Sequence, residues 1–234
     1  MMSAYAVSDM HGCADVYHRP KKIIKPEDTV YCLGDCGDRG KQPWETIKLV
    51  ATDPQFVYIK GNHEDMLVKA AREAMDGSYG SEKQRLLASN GGFETLTELL
   101  YEDRPEIWVS MLAKLPTHIT YTNEKGQKIF LCHAGCSLWA DEPEIIPNDH
   151  DLIWDRIHYF STKSELMADI IIVHGHTPIV YLAEDIGIEE PDEWIPLIYC
   201  NGRKICIDQG TVFSGHSTLL NLDTLESIDI NLND

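Results

Sequence analysis

An α/β fold in a single domain, residues 1–234, is the class this sequence predicts, on three observations. Apolar, β-branched runs alternate with helix-spaced patterns through the first half, as in βαβ units. Those runs end in polar residues, where open α/β sheets bind ligands. The hydrophobic fraction of 43% and charged fraction of 25% are those of an ordinary globular protein, long enough to bury a substantial core.

The first strand is AYAVSD, and DTVYCLGD and QFVYIKGN repeat its pattern. Between the last two, KQPWETIKLVATDP carries Trp44, Ile47, Val50 and Ala51 at helical spacing, with Pro43 suited to a first turn. From His63 a helix runs through Met66, Leu67, Ala70, Ala71, Ala74 and Met75 and stops near Asp76 and Gly77. Residues 80–115 read as shorter helical pieces, FETLTELL and PEIWVSMLAKL among them, with SNGG at 89–92 as a break. HITYT and KIFLCHAG flank NEKGQ as a hairpin, and DIIIVHGHTP, KICIDQG, STLLNLD and ESIDIN read as later strands. The acidic stretch 184–193, EDIGIEEPDE, is expected to be an exposed loop.

Composition excludes several classes. A net charge of −18 opposes binding to a nucleic-acid polymer, which needs clustered Lys and Arg, so any anionic substrate requires a local positive centre. No stretch approaches the roughly 18 apolar residues of a membrane span, and no signal peptide is visible, so a cytoplasmic location and no membrane partner are expected. Seven cysteines in apolar runs suggest reduced, packed thiols. Cys32 and Cys36, like Cys132 and Cys136, are one residue further apart than a zinc ribbon wants.

Five polar clusters share one placement: Asp9 and His11, Asp35 and Asp38, Asn62 and His63, His133, and His174 with His176 each follow a strand. Singly, each has an ordinary reading as a turn, a helix cap or a hydrogen-bonded core histidine. Together, at one sheet edge, they would each cost several kcal/mol unless something paired them. Metal ions supply that pairing. Carboxylate, imidazole and amide ligands without thiolates suit Mn, Fe or Zn, and Asp35, on a central strand, is the natural bridge between two ions.

SDMHG, GDCGDRG, KGNHE, LCHAG and HGHTP stand in the order and approximate separations of the calcineurin-like metallophosphoesterases. In their particular forms they resemble the phosphoprotein phosphatase branch, above all the bacterial and phage-type serine/threonine protein phosphatases. LIWDR at 152–156 and IDQGTVFSG at 207–215 extend the likeness, which runs from about residue 5 to 225. The resemblance implies a four-layer αββα sandwich with two mixed β-sheets flanked by helices. It implies two divalent ions, manganese first, with iron or zinc as alternatives. Asp9, His11 and Asp35 would hold one, and Asp35, Asn62, His133 and His176 the other, leaving His174 structural.

The activity implied is attack on phosphorus by a hydroxide bridging the two ions, with no covalent phosphoenzyme. His63 would protonate the leaving group and Asp38 would hold its imidazole. Arg39 and Arg156 would bind phosphate oxygens, with Asn62 also at the substrate. Pro178 stands where many relatives outside the phosphatase branch have a histidine, which favours that branch. Gly37, Pro20 and the acidic stretch 184–193 depart from the family pattern. Gly37 replaces an apolar residue and is expected to loosen the loop carrying Asp38. Pro20 should kink or shorten the helix after DMHG.

The substrate implied is a phosphoprotein or phosphopeptide, phosphotyrosine included. Symmetrical dinucleoside polyphosphate (diadenosine tetraphosphate) hydrolysis is the alternative, because those enzymes carry the same motifs. A non-catalytic, metal-stabilised binding module is the alternative of another class. It would not need His63, Asp38 and both arginines, all of which are present. Oligomeric state is left open.

Overall fold

The structure, a computed structural model, describes residues 2–136, 148–156, 170–191 and 193–233. Its strands form two five-stranded sheets. In the first, β1 (Ala4–Val7), β2 (Thr29–Cys32) and β3 (Phe56–Tyr58) run parallel, with Ala4 opposite Thr29 and Val30 opposite Phe56. Beyond β1, β9 (His216–Asn221) and β10 (Ser227–Asn231) continue the sheet antiparallel. In the second sheet, β5 (Lys128–Cys132), β6 (Ile170–His174) and β8 (Lys204–Cys206) are parallel, and β4 (His118–Thr122) and β7 (Leu197–Tyr199) close the two edges antiparallel.

Strand alternation explains the layering, because successive side chains face opposite ways. Ala4, Ala6 and Leu33 from the first sheet meet Ile129, Leu131, Val173 and Ile205 from the second in a shared apolar core. On the first sheet's other face, Val7, Val30 and Cys32 pack under helices α2 (Pro43–Thr52), α3 (Asn62–Met75) and α5 (Phe93–Leu100), through Trp44, Ile47, Leu67, Ala70 and Leu99. On the second sheet's outer face, Phe130 and Ile172 lie under Leu152, while Leu197 and Cys206 lie under Ile179 and Leu182. The result is the four-layer αββα sandwich, two mixed sheets flanked by helices.

Most expected elements form, with local differences. A short α1 (Asp15–His18) gives way to a 3-10 turn at Pro20–Lys22, because proline cannot continue the hydrogen-bond ladder. The 80–115 region contains α4 (Glu82–Ser89), α5 and α6 (Pro105–Ala113). The acidic stretch is not wholly a loop. A helix, Ile179–Ile186, takes its first three residues, burying Ile179, Leu182 and Ala183 and leaving Glu184 and Asp185 exposed. It ends at Gly187, whose left-handed backbone suits a C-terminal cap. Strand Leu197–Tyr199 and the short helices Asp149–Trp154 and Thr211–Ser214 were also not expected. None of the seven cysteines is in a disulfide. Among the described residues no helix is long and apolar enough to cross a membrane.

Candidate metal and phosphate site

The loops that leave the parallel strands carry an unusual backbone. Asp9 (φ 50°), His11 (41°), Asp35 (55°), Asp38 (68°), Arg39 (63°) and His176 (70°) are all left-handed. Each such non-glycine residue costs about 1 kcal/mol or more, so the surrounding structure must hold it there. Much of that holding is hydrogen bonding between loops. The N–H groups of Asp9 and His11 donate to Gly34 O (3.1 Å) and Asp35 O (2.9 Å), and that of Gly12 donates to Cys36 O (2.8 Å). Buried Glu64, in the first turn of α3, accepts from the N–H groups of Asp35 (2.9 Å), Cys36 (3.0 Å) and Gly61 (2.8 Å) and from the Tyr58 hydroxyl (2.7 Å).

Asp35 sits at the centre. Its Oδ2 lies 3.7 Å from His11 Nε2, 3.8 Å from His63 Nε2 and 3.4 Å from His133 Nε2. Its ligand atoms belong to two triads, His11–Asp35–His63 and Asp35–His133–His176, each with atoms within 4.8 Å of one another. Asn62 Oδ1 joins the second, 2.8 Å from His133 Nε2 and 3.0 Å from His176 Nδ1. Asp9 stands at the edge of the first, its Oδ1 4.0 Å from His11 Nε2 and its Oδ2 accepting the His176 N–H (3.1 Å).

The tautomers set by the protein test whether cations fit here. His11 and His133 donate their Nδ1 protons to Gly37 O (3.0 Å) and Leu33 O (2.8 Å), which turns both Nε2 atoms inward. Those nitrogens converge with the oxygens of Asp35 and Asn62. Ring nitrogens gathered round a buried carboxylate call for positive charge between them, whether protons, a guanidinium or a cation, and this donor set suits a divalent ion of the Mn, Fe or Zn kind.

Charge in the cluster follows the same geometry. Burial works against an ionised Asp35, yet His133 and His63 hold its carboxyl well below the usual range. Burial likewise opposes charge on His133, but Asp35 overcomes it and raises that ring to about 10. His11 is pushed down to about 3, mainly by burial. His63 is raised: burial resists, and Asp35 and then Asp38 prevail.

His63 Nδ1 lies 2.5 Å from Asp38 Oδ2. Its Nε2 accepts from Arg39 Nη2 (2.9 Å), while Arg39 Nη1 donates to His11 Nε2 (2.8 Å). One guanidinium therefore occupies the lone pairs of two imidazoles. Arg156 Nε reaches His176 Nε2 (3.3 Å) from the other side.

All the candidate residues gather at this one edge. His174 does not join them, being bonded instead to Gly175 O (3.0 Å) and the Tyr199 hydroxyl (2.8 Å). The loosening expected at Gly37 does not occur, because a Cβ there would lie 2.6 Å from Ile47 Cδ1, so Ile47 already fills that space. Three buried residues escaped the sequence reading. Glu64 carried a signal, its place three residues after Gly61 in a capping arrangement. Asp208, in IDQG, has its carboxyl pushed well up by burial and then by Asp9. Thr95, bonded to Asp38, gave no sequence signal.

The profile of the Calcineurin-like phosphoesterase family matches residues 2–228. The chain belongs to that family. It is 32% identical over 136 residues to serine/threonine-protein phosphatase 2 of Salmonella typhimurium, covering 56% of this chain and 57% of the relative. It is 31% identical over 136 residues to a symmetrical bis(5'-nucleosyl)-tetraphosphatase of Xylella fastidiosa, covering 53% of this chain and 47% of the relative. The chain thus spans about half the length of these relatives. Among solved structures, a protein serine/threonine phosphatase from Saccharomyces cerevisiae aligns with a TM-score of 0.60 at 14% identity, over 95% of this chain and 73% of the other, a likeness of fold.

Proposed function

We propose that the protein, as a single domain, is a metal-dependent phosphomonoesterase acting on phosphoserine and phosphothreonine, and also phosphotyrosine, in proteins. The observation that carries this reading is the Asp35 carboxylate shared by two triads of ligand atoms, the His63 of one triad being paired with Asp38, and two guanidinium groups beside them. Asp9, His11 and Asp35 would hold one divalent ion and Asp35, Asn62, His133 and His176 the other, manganese being our choice. Bound there, the ions would polarise the phosphoryl oxygens and acidify a water.

The chain's own residues supply the rest. Arg39 and Arg156 offer planar guanidinium groups to the phosphate oxygens, the local positive centre that an acidic protein needs for an anionic substrate. A phosphate that draws Arg39 away from His11 and His63 frees both Nε2 atoms at once. That release matters chemically, because an imidazole accepting Arg39's hydrogen bond at Nε2 has no proton there to give. Once free, His63 takes up a proton at Nε2 and delivers it to the alkoxide oxygen as the phosphorus–oxygen bond breaks, while Asp38 holds Nδ1.

The 32% identity to a serine/threonine-protein phosphatase and the net charge of −18, which disfavours a polyanionic dinucleotide, support a protein substrate. The second reading, hydrolysis of dinucleoside tetraphosphates, rests on the 31% identity to a symmetrical tetraphosphatase. Manganese-loaded protein assayed in parallel on phosphopeptides and diadenosine tetraphosphate should show the higher kcat/KM on peptides. A preference of about 100-fold or more for the dinucleotide would overturn the first reading.

A further inference from the structure

In the sequence, residues 89–95, SNGGFET, mark no more than a helix break and a new helix. In the structure this segment lies against the Asp38–Arg39 loop. The Arg39 N–H donates to Gly91 O (3.2 Å) and Arg39 Nε to Asn90 O (3.4 Å). A Cβ at residue 92 would lie 2.7 Å from Asp38 Oδ2 and 2.2 Å from Leu87 Cδ1, so only glycine lets the carboxylate and α4 come this close. Thr95, in the first turn of α5, is fully buried, and its hydroxyl donates to Asp38 Oδ1 while accepting the Asp38 N–H (3.2 Å).

The two oxygens of Asp38 are thereby held by different helices, Oδ2 by His63 of α3 and Oδ1 by Thr95 of α5. Asp38 is one of the left-handed residues (φ 68°), and without a second hold its carboxylate would be free to turn away from the imidazole. A neutral hydroxyl fixes the carboxylate without taking its charge from His63, as a lysine or arginine would. The β-branched side chain adds stiffness, its Cγ2 facing the tight space at Gly37.

We infer that Thr95 is a positioning residue for proton delivery, fixing the plane of the Asp38 carboxylate and through it the ring of His63. The inference rests on the reading of His63 as the acid. It makes a chemical distinction that loss of structure alone would not: a proton donor matters for a poor leaving group such as the serine alkoxide and little for p-nitrophenolate.

Thr95→Val keeps the shape and removes the hydroxyl; Thr95→Ser keeps the hydroxyl. With manganese-loaded proteins, Thr95→Val should lower kcat on a phosphoserine peptide about tenfold or more, and on p-nitrophenyl phosphate by less than about threefold. Thr95→Ser should restore most of the difference. An equal fall on both esters, or no fall on the peptide, overturns the role of Thr95; should Thr95→Val not fold, Thr95→Ala is judged by the same ratio. A wild-type protein inactive on both esters overturns the phosphatase reading instead. Thr95 is then judged by proton NMR of the metal-free, nitrogen-15 histidine-labelled protein. A downfield His63 Nδ1 proton present in wild type and Thr95→Ser but lost in Thr95→Val supports the inference, and one unchanged in Thr95→Val overturns it.

Discussion

The two halves of the site are built differently. On the first sheet, the loops after β1, β2 and β3 are tied to one another: Glu64 gathers the N–H groups of Asp35, Cys36 and Gly61, His11 donates to Gly37 O, and Asp38 lies between His63 and Thr95. On the second sheet, His133 and His176 hold each other through the Gly175 N–H, which donates to His133 O (2.9 Å), but they take their orientation from across the interface. His133 donates to Leu33 O and the His176 N–H donates to Asp9 Oδ2. One half stands by itself and the other is aligned on it. A site spanning two sheets therefore inherits its precision from one of them.

Asp35→Asn is the severest way to break that comparison, since it removes the carboxylate that both triads share. Loss of kcat on the order of a thousandfold is expected, with metal content by elemental analysis falling at both positions. A variant that kept one full equivalent of tightly bound metal would show that the halves assemble independently.

Glu64→Ala sharpens the comparison while leaving every proposed ligand side chain in place. Three N–H groups and the Tyr58 hydroxyl lose a buried acceptor, so about 3 kcal/mol of stability should disappear in urea denaturation. If the second half leans on the first, affinity for manganese measured by calorimetry should weaken about 10-fold or more as well. A stability loss below about 1 kcal/mol would mean that the loops are held by other bonds.

The smallest effect at neutral pH belongs to His174, inside the second half. Burial, with the charges of Lys204 and His133 behind it, pushes this ring from 6.5 down to about 3. Between those values the unfolded chain binds a proton that the folded chain refuses, so folding stability falls as pH falls, by up to about 1.4 kcal/mol per pH unit. In metal-free protein, His174→Gln should flatten that decline below pH 6.5, read from urea midpoints. Parallel curves for the two proteins would assign the acid sensitivity elsewhere.

How much of this was legible follows from the range of each interaction. Strands β1 to β3, helix α3 and the hairpin around NEKGQ show in local periodicity, and the ligand types show in short motifs. The helix Ile179–Ile186 also had its signal, apolar residues at 179, 182, 183 and 186, but the acidic residues at 184 and 185 read as the start of a loop. Strand Leu197–Tyr199, three residues long and directly after Pro196, is too short to show a period. Thr95 meets Asp38 across 57 positions of sequence, and no local pattern announces such a pairing. Nor did the sequence place Arg39 on two imidazoles, since side-chain reach depends on how the loops fold back.

The left-handed backbone at Asp9, His11, Asp35, Asp38, Arg39 and His176 sets main chain against side chain. Glycine would relax the main chain at every one of them. What glycine would give back in backbone ease it would take away in buried hydrogen bonds, such as those of Asp9 to the His176 N–H and of Asp38 to Thr95. Each of these side chains is thus held against the preference of its own backbone, a cost that only the work of the side chain itself offsets.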